Sequence, residues 1–298
     1  MRLIKISDGE RLSLTEDFVG EDDDVPLYAI LSHTWIKDQE VTFDDLKNGT
    51  SGNKKGLEKI QFCAKRAMRD GLSHFWVDTC CINKKDPVEL QYAINSMFSW
   101  YRDAAKCYVY LSDVSTTKRK KITDPSPFVW EPAFRHSLWF TRGWTLQELL
   151  APESIKFFSK EGHYLGDRLE HKQMIHEITG IPVAALSGRS LHKFSVEERL
   201  SWSHKRRTTW LEDRAYSMLG IFGVFMPLLY GEGLDHALRR LRKVIDDLHR
   251  EQTQGLDVGI EITTQMIGKK PQIVCSCNAN RSRLSQVFVI PRTRDKIQ

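Results

Sequence analysis

The sequence predicts an α/β fold in which a parallel sheet is flanked by helices and followed by a helical C-terminal extension. Between about residues 25 and 160, short apolar runs typical of buried strands alternate with amphipathic helices. From about residue 166 to 251 the pattern is almost entirely helical. Strands that alternate with helices favour a parallel sheet covered on both faces, with a ligand crevice at the carboxyl ends of the strands.

The first two predicted strands both end in polar residues. LYAILSHTW, residues 27–35, and HFWVDTCCI, residues 74–82, are apolar runs of strand length. Between them, apolar residues at helical spacing predict a helix over 56–70. The polar or reactive residues near the ends of the two strands are Ser32, His33, Trp35, Asp78 and Cys80. Because carboxyl ends of parallel strands share one edge of a sheet, we expect these side chains to gather there.

Two further strands are each preceded by a predicted helix. KCYVYLSDV, residues 106–114, and SIKFFS, residues 154–159, predict the strands. Helices are predicted over 88–101 and over 144–150, the second ending before a proline. The segment 115–132 carries a basic run and three prolines, which predicts a loop or an insertion.

The C-terminal part of the chain divides into a helical extension and a polar end. The extension has helical patterns over 168–179, 196–207, 212–222 and 234–251. Residues 252–298 contain three acidic and seven basic residues and no helical stripe. This composition predicts a linker or a weakly ordered tail after a domain that spans 1–251.

Composition and motif content exclude several classes of protein. Charged residues of both signs make up 28% of the 298 residues, and the net charge of +5 is too small to indicate a nucleic-acid-binding protein. No apolar run approaches the roughly 20 residues that span a bilayer, and the N-terminus has no signal-peptide pattern, so we expect a cytoplasmic protein. The six cysteines match no zinc spacing, and the motifs of P-loop, Rossmann, zinc-peptidase and α/β-hydrolase sites are missing from the sequence.

The stretch RGWTLQELLAP, residues 142–152, leaves two interpretations of Glu148 open. Thr145 followed three residues later by Glu148 fits a capping box, in which the carboxylate only stabilises a helix start. The residues before them favour a functional site instead. Gly143 permits the close approach of a ligand, and the indole of Trp144 offers a flat face to a base or a sugar.

Asp78 and His33 also have two interpretations each. Asp78 and Glu148 together fit the paired carboxylates of glycosyl chemistry, whereas an aspartate in this position also caps loops. His33 fits an acid, a base or a phosphate contact, whereas most loop histidines only form surface hydrogen bonds.

Five motifs, in order and in spacing, resemble the fungal heterokaryon-incompatibility (HET) domain over residues 1 to about 250. They are YAILSHTW, FWVDTCCIN, AINSMFSWYRDAAKCYVYLSDV, RGWTLQELLAP and DRAYSMLGIFGVFMPLLYGEG. The resemblance implies a domain that triggers programmed cell death when genetically unlike fungal cells fuse, as part of fungal innate immunity. It also implies an association with a NACHT or NB-ARC receptor module, to which residues 252–298 would be the run-in.

The HET domain is in turn similar to TIR domains, which implies a TIR-like, flavodoxin-like sheet. Many TIR domains cleave NAD at the nicotinamide glycosidic bond, using a glutamate on a helix after the third strand. Plant TIR domains place it in a W-C-L-x-E-L context, which Trp144, Leu146, Glu148 and Leu149 reproduce with Thr145 in place of the cysteine.

The resemblance implies an NAD hydrolase with Glu148 and Asp78 as its catalytic residues. NAD or a related nucleotide would be the substrate, and no cofactor or metal is implied. The substrate contacts would come from Ser32, His33, Trp35, Cys80, Arg142 and Trp144. Self-association is implied by the family as well. The alternative is a non-catalytic adaptor that signals cell death through protein contacts.

Overall fold

A computed structural model of the chain describes residues 1–7, 11–18, 25–52, 54–117, 128–255, 260–267, 270–279 and 282–286. The chain forms two compact units, Met1–Leu241 and Arg242–Gln298. The strands of the first unit are β1 (Ile4–Ser7), β2 (Arg11–Leu14), β3 (Tyr28–His33), β4 (His74–Trp76), β5 (Lys106–Leu111), β6 (Ile155–Ser159) and β7 (Tyr164–Asp167).

These strands form one sheet in the order β2-β1-β4-β3-β5-β6-β7. The four central strands are parallel, as the sequence predicts. The outer strands β1 and β2 on one side and β7 on the other pair antiparallel with their neighbours and were not predicted. Every residue of β3 is buried, which explains why its sequence is a continuous apolar run and shows no alternation. The α/β prediction is therefore confirmed, with a mixed sheet in place of a purely parallel one.

Helices pack on this sheet and continue into the extension. They are α1 (Phe43–Asn48), α2 (Gly56–Arg69), α3 (Asp78–Cys81), α4 (Pro87–Asp103), α5 (Glu131–Arg135), α6 (Thr145–Leu150), α7 (Lys172–Thr179), α8 (Val183–Leu186), α9 (Val196–Ser201), α10 (Asp213–Tyr216), α11 (Leu219–Phe222) and α12 (Leu234–Gly255). Helix α4 begins where it is predicted, because the Asp86 carboxylate accepts hydrogen bonds from the amides of Val88 and Glu89. No helix in the described part of the chain has the length and apolar character needed to cross a membrane.

Several predicted elements differ from the observed ones. The helix predicted over 168–179 begins at Lys172, and the one predicted over 212–222 is divided into α10 and α11. The second strand ends at Trp76, and Asp78–Cys81 forms a helical turn whose last two amides donate to the Val77 carbonyl. The helix predicted over 196–207 ends at Ser201. Beyond it, the backbone at Arg207 pairs with residues 141–143. The Arg207 amide donates to the Thr141 carbonyl, and the Gly143 amide donates to the Arg207 carbonyl.

The second unit contains the C-terminal part of α12 and a separate antiparallel sheet. This sheet has the order β10-β9-β8, formed by β8 (Ile260–Ile267), β9 (Lys270–Ala279) and β10 (Ser282–Gln286). The strands lie within the range that the sequence marks as a linker or tail. That assignment, and the run-in to a receptor module, stay predictions.

The contact between α4 and α11 depends on a glycine, and it gives a first prediction. A Cβ placed on Gly220 would lie 2.1 Å from Cβ of Phe98 on α4. We expect Gly220→Ala to lower the free energy of unfolding by about 1–3 kcal/mol, because the two helices must separate to admit the methyl group. Urea denaturation measures the change. Gly52→Ala is the control, since nothing lies within 4 Å of its added Cβ. An equal effect of both changes would contradict the prediction.

Candidate functional site

Glu148 does not cap helix α6. The helix has no side-chain cap hydrogen bond, and the Thr145 hydroxyl donates to the carbonyl oxygens of Trp139 and Arg142 instead. The Glu148 carboxylate is buried, with 7% of the residue exposed, and accepts a 2.5 Å hydrogen bond from the Ser32 hydroxyl. The capping-box interpretation is therefore wrong. Glu148 is tied to the carboxyl end of β3, where the sequence predicts the site.

Ser32 is held in turn by Trp139, which lies in the 3₁₀ turn Leu138–Thr141. The indole nitrogen of Trp139 donates to the Ser32 hydroxyl oxygen over 2.8 Å. A serine hydroxyl has one proton, so accepting from Trp139 directs that proton to Glu148. Trp139 is fully buried, and no motif in the sequence indicated it.

Burial makes the Glu148 carboxyl a weaker acid than an ordinary glutamic acid side chain. It raises the pKa of the Glu148 carboxyl to about 8, and the negative charge of Asp78 adds to the increase. The hydrogen bonds from Ser32 and Tyr101 and the positive charge of Arg142 oppose it without cancelling it. Glu148 therefore carries a proton at neutral pH. A carboxyl group with a pKa shifted this far, beside a cleft, is typical of functional sites.

A buried arginine supports the loop that leads into α6. Nη1 of Arg206 donates to the Arg142 carbonyl and to the Thr145 hydroxyl, both over 2.8 Å. Burial lowers the pKa of Arg206 to about 9, and the charge of Glu148 acts in the opposite direction. Its burial was not evident from the sequence, because an arginine in a basic run such as KRR, residues 205–207, is normally exposed.

Gly143 has a different role from the one that the sequence suggests. A Cβ at this position would lie 2.4 Å from Cγ2 of Thr208. The close approach is therefore made by the chain's own segment after Arg206, and no ligand is needed to explain the glycine.

His33 and Asp78 form a second polar group. Nε2 of His33 lies 3.2 Å from an Asp78 carboxylate oxygen. On the other side of the ring, Nδ1 is 3.3 Å from the ammonium nitrogen of Lys59, which also bonds the Glu40 carboxylate over 2.5 Å. Burial by itself would raise the pKa of Asp78, but Lys84 and His33 hold it well below its usual range. Asp78 is therefore ionised while Glu148 is protonated.

An open cleft of about 530 Å³ lies at the carboxyl ends of β3 and β5. Its lining includes the hydroxyl residues Thr34, Ser112, Thr141, Thr208 and Thr209, together with Trp35, Lys37, Arg142 and Arg207. The indole of Trp35 is 45% exposed and has the Lys84 ammonium 3.7 Å from a ring centroid. Arg142 connects the cleft to the buried carboxyl, because it lines the cleft and its charge lowers the pKa of Glu148.

The structure brings six of the eight predicted site residues together. Glu148, Ser32 and Arg142 form one group, and Asp78, His33 and Trp35 form the other. The other two predicted residues, Cys80 and Trp144, belong to neither group.

Cys80 and Trp144 are the exceptions. Cys80 is buried, its thiol donates to the Val41 carbonyl, and burial raises its pKa to about 12. The Trp144 indole donates to the Asp213 carboxylate over 3.1 Å. Among the described residues there is also no group of three or more His, Cys, Asp or Glu side chains that could hold a metal ion.

Comparisons with known proteins show the family of the chain. Residues 28–131 match the family model described as heterokaryon incompatibility protein (HET). Vegetative incompatibility protein HET-E-1 of Podospora anserina is 55% identical over 246 residues, which are 82% of this chain. The chain belongs to the HET family. It spans 18% of the length of HET-E-1. No solved structure matches the chain.

The HET family match covers only one part of the site. It begins at the first residue of β3 and ends in α5, so it includes Ser32, His33, Trp35 and Asp78. Arg142 and Glu148 lie beyond its last residue. Glu148 is joined to the matched part by its hydrogen bond with Ser32.

Proposed function

We propose that this HET domain is an effector of heterokaryon incompatibility and programmed cell death that cleaves NAD at its nicotinamide glycosidic bond. The observation that supports this proposal best is the buried Glu148 carboxyl, fixed by Ser32 beside a cleft at the carboxyl ends of parallel strands. A TIR-like, flavodoxin-like relation of the central sheet is part of the same proposal.

The reaction requires negative charge at the ribose. When the bond between the anomeric carbon and the nicotinamide nitrogen breaks, its electron pair goes to the pyridinium ring, and nicotinamide leaves as a neutral molecule. Positive charge then develops on the ribose, and water adds to the anomeric carbon with loss of a proton. The leaving group needs no acid. Ionised Glu148 stabilises the positive charge, and Asp78, already ionised, adds to the field.

The lining of the cleft suits a dinucleotide. Lys37, Arg142 and Arg207 supply positive charge for a pyrophosphate, and the described residues that line the cleft include no carboxylate to oppose them. The threonine and serine hydroxyls are suited to sugar hydroxyls, while the exposed face of Trp35 is suited to a base. The volume of about 530 Å³ lies within the range of small-molecule sites.

The pH dependence of nicotinamide release tests this chemistry directly. Because burial raises the pKa of Glu148 to about 8, the active carboxylate is the minor form at neutral pH. We expect kcat/KM to rise about tenfold per pH unit below that pKa and to level off above it. The measurement is nicotinamide release from NAD by the purified protein across this range. A rate that is flat or falls with increasing pH would rule out Glu148 as the ionised group.

The second candidate is a non-catalytic adaptor that signals cell death through protein contacts. It is favoured by the apolar side chains that are more than half exposed near the helical extension, namely Trp210, Leu211, Phe225 and Leu229. Contacts made there would not require Glu148 to ionise.

The proposal also places the domain in a longer receptor. HET-E-1 extends well beyond the part that matches this chain. A neighbouring NACHT or NB-ARC module, self-association of the domain and action in the cytoplasm are parts of the proposal that rest on the resemblance to the HET family.

A further inference from the structure

A second groove lies between α2 and the turn that joins β6 to β7. It is separate from the cleft at the carboxyl ends of β3 and β5, which is called the NAD cleft below. The groove has a volume of about 290 Å³, and it shares no lining residue with the cleft. Four of its lining residues are cations: Lys65, Arg66 and Arg69 on α2, and Lys160 in the turn. We propose that this groove binds a small molecule through a phosphate group.

The negative charges in the groove do not cancel these cations. Of its two carboxylates, that of Glu161 accepts hydrogen bonds from the hydroxyls of Ser115 and Ser159 and from the Thr116 amide. Burial raises its pKa, but these bonds outweigh that effect and bring it to about 2. Glu161 therefore stays ionised, with its oxygens bonded to Ser159 and to the segment after β5. The lining therefore carries four positive charges against two negative ones, those of Glu58 and Glu161.

Three of the four cationic side chains have N–H donors that are available to a ligand. Lys65, Arg69 and Lys160 are exposed, and the described residues place no carboxylate within ion-pair distance of them. Arg66 lies deeper, with its guanidinium 5.0 Å from the Phe158 ring centroid and 3.8 Å from an Asp70 carboxylate oxygen. Its Nε is buried and has no hydrogen-bond partner within the described ranges. The Arg66 side chain lines the groove, and its guanidinium is suited to donate to a phosphate oxygen there.

The walls of the groove limit the size of the ligand. The rings of Phe62 and Tyr110 are 5.1 Å apart and form an apolar side, and the Tyr110 hydroxyl donates to the Lys160 carbonyl over 2.6 Å, which fixes the turn. A depression of about 290 Å³ is at the small end of ligand sites and has no room for a folded segment of another protein. An apolar aromatic wall beside the exposed cations Lys65, Arg69 and Lys160 suits a phosphorylated small molecule.

Equilibrium dialysis of inorganic phosphate against the full chain tests this site, at fixed ionic strength and with chloride as the balancing anion. The test variant combines Lys65→Gln, Arg69→Gln and Lys160→Gln, all at exposed positions, so the fold is expected to persist. The control combines Lys172→Gln, Arg189→Gln and Lys193→Gln, which remove the same charge from exposed positions outside both cavities. Arg207→Gln removes a cation from the NAD cleft, and circular dichroism checks the folding of every variant.

We expect one saturable site whose dissociation constant rises at least about tenfold in the groove variant. The control and Arg207→Gln should each stay within about twofold of the wild type. No saturable binding to the wild type, or equal binding by the groove variant, would overturn the proposal. Loss caused by Arg207→Gln alone would assign the phosphate to the NAD cleft and would also overturn it. None of these outcomes depends on NAD cleavage.

Discussion

Replacing Glu148 by glutamine is expected to reduce nicotinamide release from NAD by on the order of 10²–10³-fold. Glutamine keeps the length of the side chain and still accepts the hydrogen bond from Ser32, but it has no ionised form. The charge that stabilises the developing cation on the ribose is lost, and losses of this size follow the removal of one electrostatic contact to a transition state. The measurement is nicotinamide released per unit time at a pH above 8, where the wild-type carboxylate predominates.

The matched control is Glu153→Gln, three residues beyond the end of α6 at an exposed position. It removes the same charge near the same helix and should leave the rate unchanged. Equal rates in Glu148→Gln and the wild type would contradict the proposed chemistry. Cell-death assays of the same variant separate the two candidate functions: a folded Glu148→Gln protein that still triggers death would favour the adaptor.

The difference in folding stability between Glu148→Gln and the wild type is expected to depend on pH. The folded-state pKa of Glu148 is raised from 4.5 to about 8, so the stability contributed by its bound proton is fully present below the unfolded pKa. It is lost progressively as pH rises through that window, because the unfolded chain gives up the proton first. Glutamine has no proton to lose, so we expect its stability relative to the wild type to increase between about pH 5 and 8.

The elements that position the site were predictable because their sequences carry strong local signals. The apolar run of β3 and the Asp-Pro start of α4 each follow from one physical cause, burial on both faces and amide capping. Strand β1 was missed, although its buried and exposed residues alternate in the short segment Ile4–Ser7. Four residues of alternation are too few to distinguish a strand from a loop.

The hydrogen-bond partners within the site could not be predicted from spacing. Ser32 and Trp139 are 107 residues apart, and Arg206 is 61 residues from the Thr145 hydroxyl that it bonds. The Thr145 and Glu148 pair had a local explanation as a capping box, and the tertiary contact with Ser32 replaced it. Local patterns therefore located the glutamate, while only the folded chain shows which group its carboxyl bonds.

Replacing Lys59 by methionine is expected to lower the free energy of unfolding by about 3–5 kcal/mol. Lys59 is 2% exposed, and its ammonium bonds the Glu40 carboxylate over 2.5 Å and the Thr34 carbonyl over 2.7 Å. Methionine fills a similar volume but leaves the Glu40 charge largely buried without its partner. Urea denaturation of the full chain measures the loss. Lys65→Met is the matched control, since it lies on the same helix at an exposed position and should change stability by less than about 0.5 kcal/mol.

The Glu40→Gln and Lys59→Met double variant separates an unpaired charge from lost packing. If the unpaired Glu40 carboxylate causes most of the loss, removing that charge as well should recover a large part of it, and the two single changes will not add. Additive losses would show that the pair contributes little and that the methionine simply packs badly. Because the Lys59 ammonium also contacts Nδ1 of His33, whose Nε2 faces Asp78, weakening this pair should also disturb the second polar group of the site. A variant that keeps its stability but loses nicotinamide release would assign Lys59 a positioning role for His33.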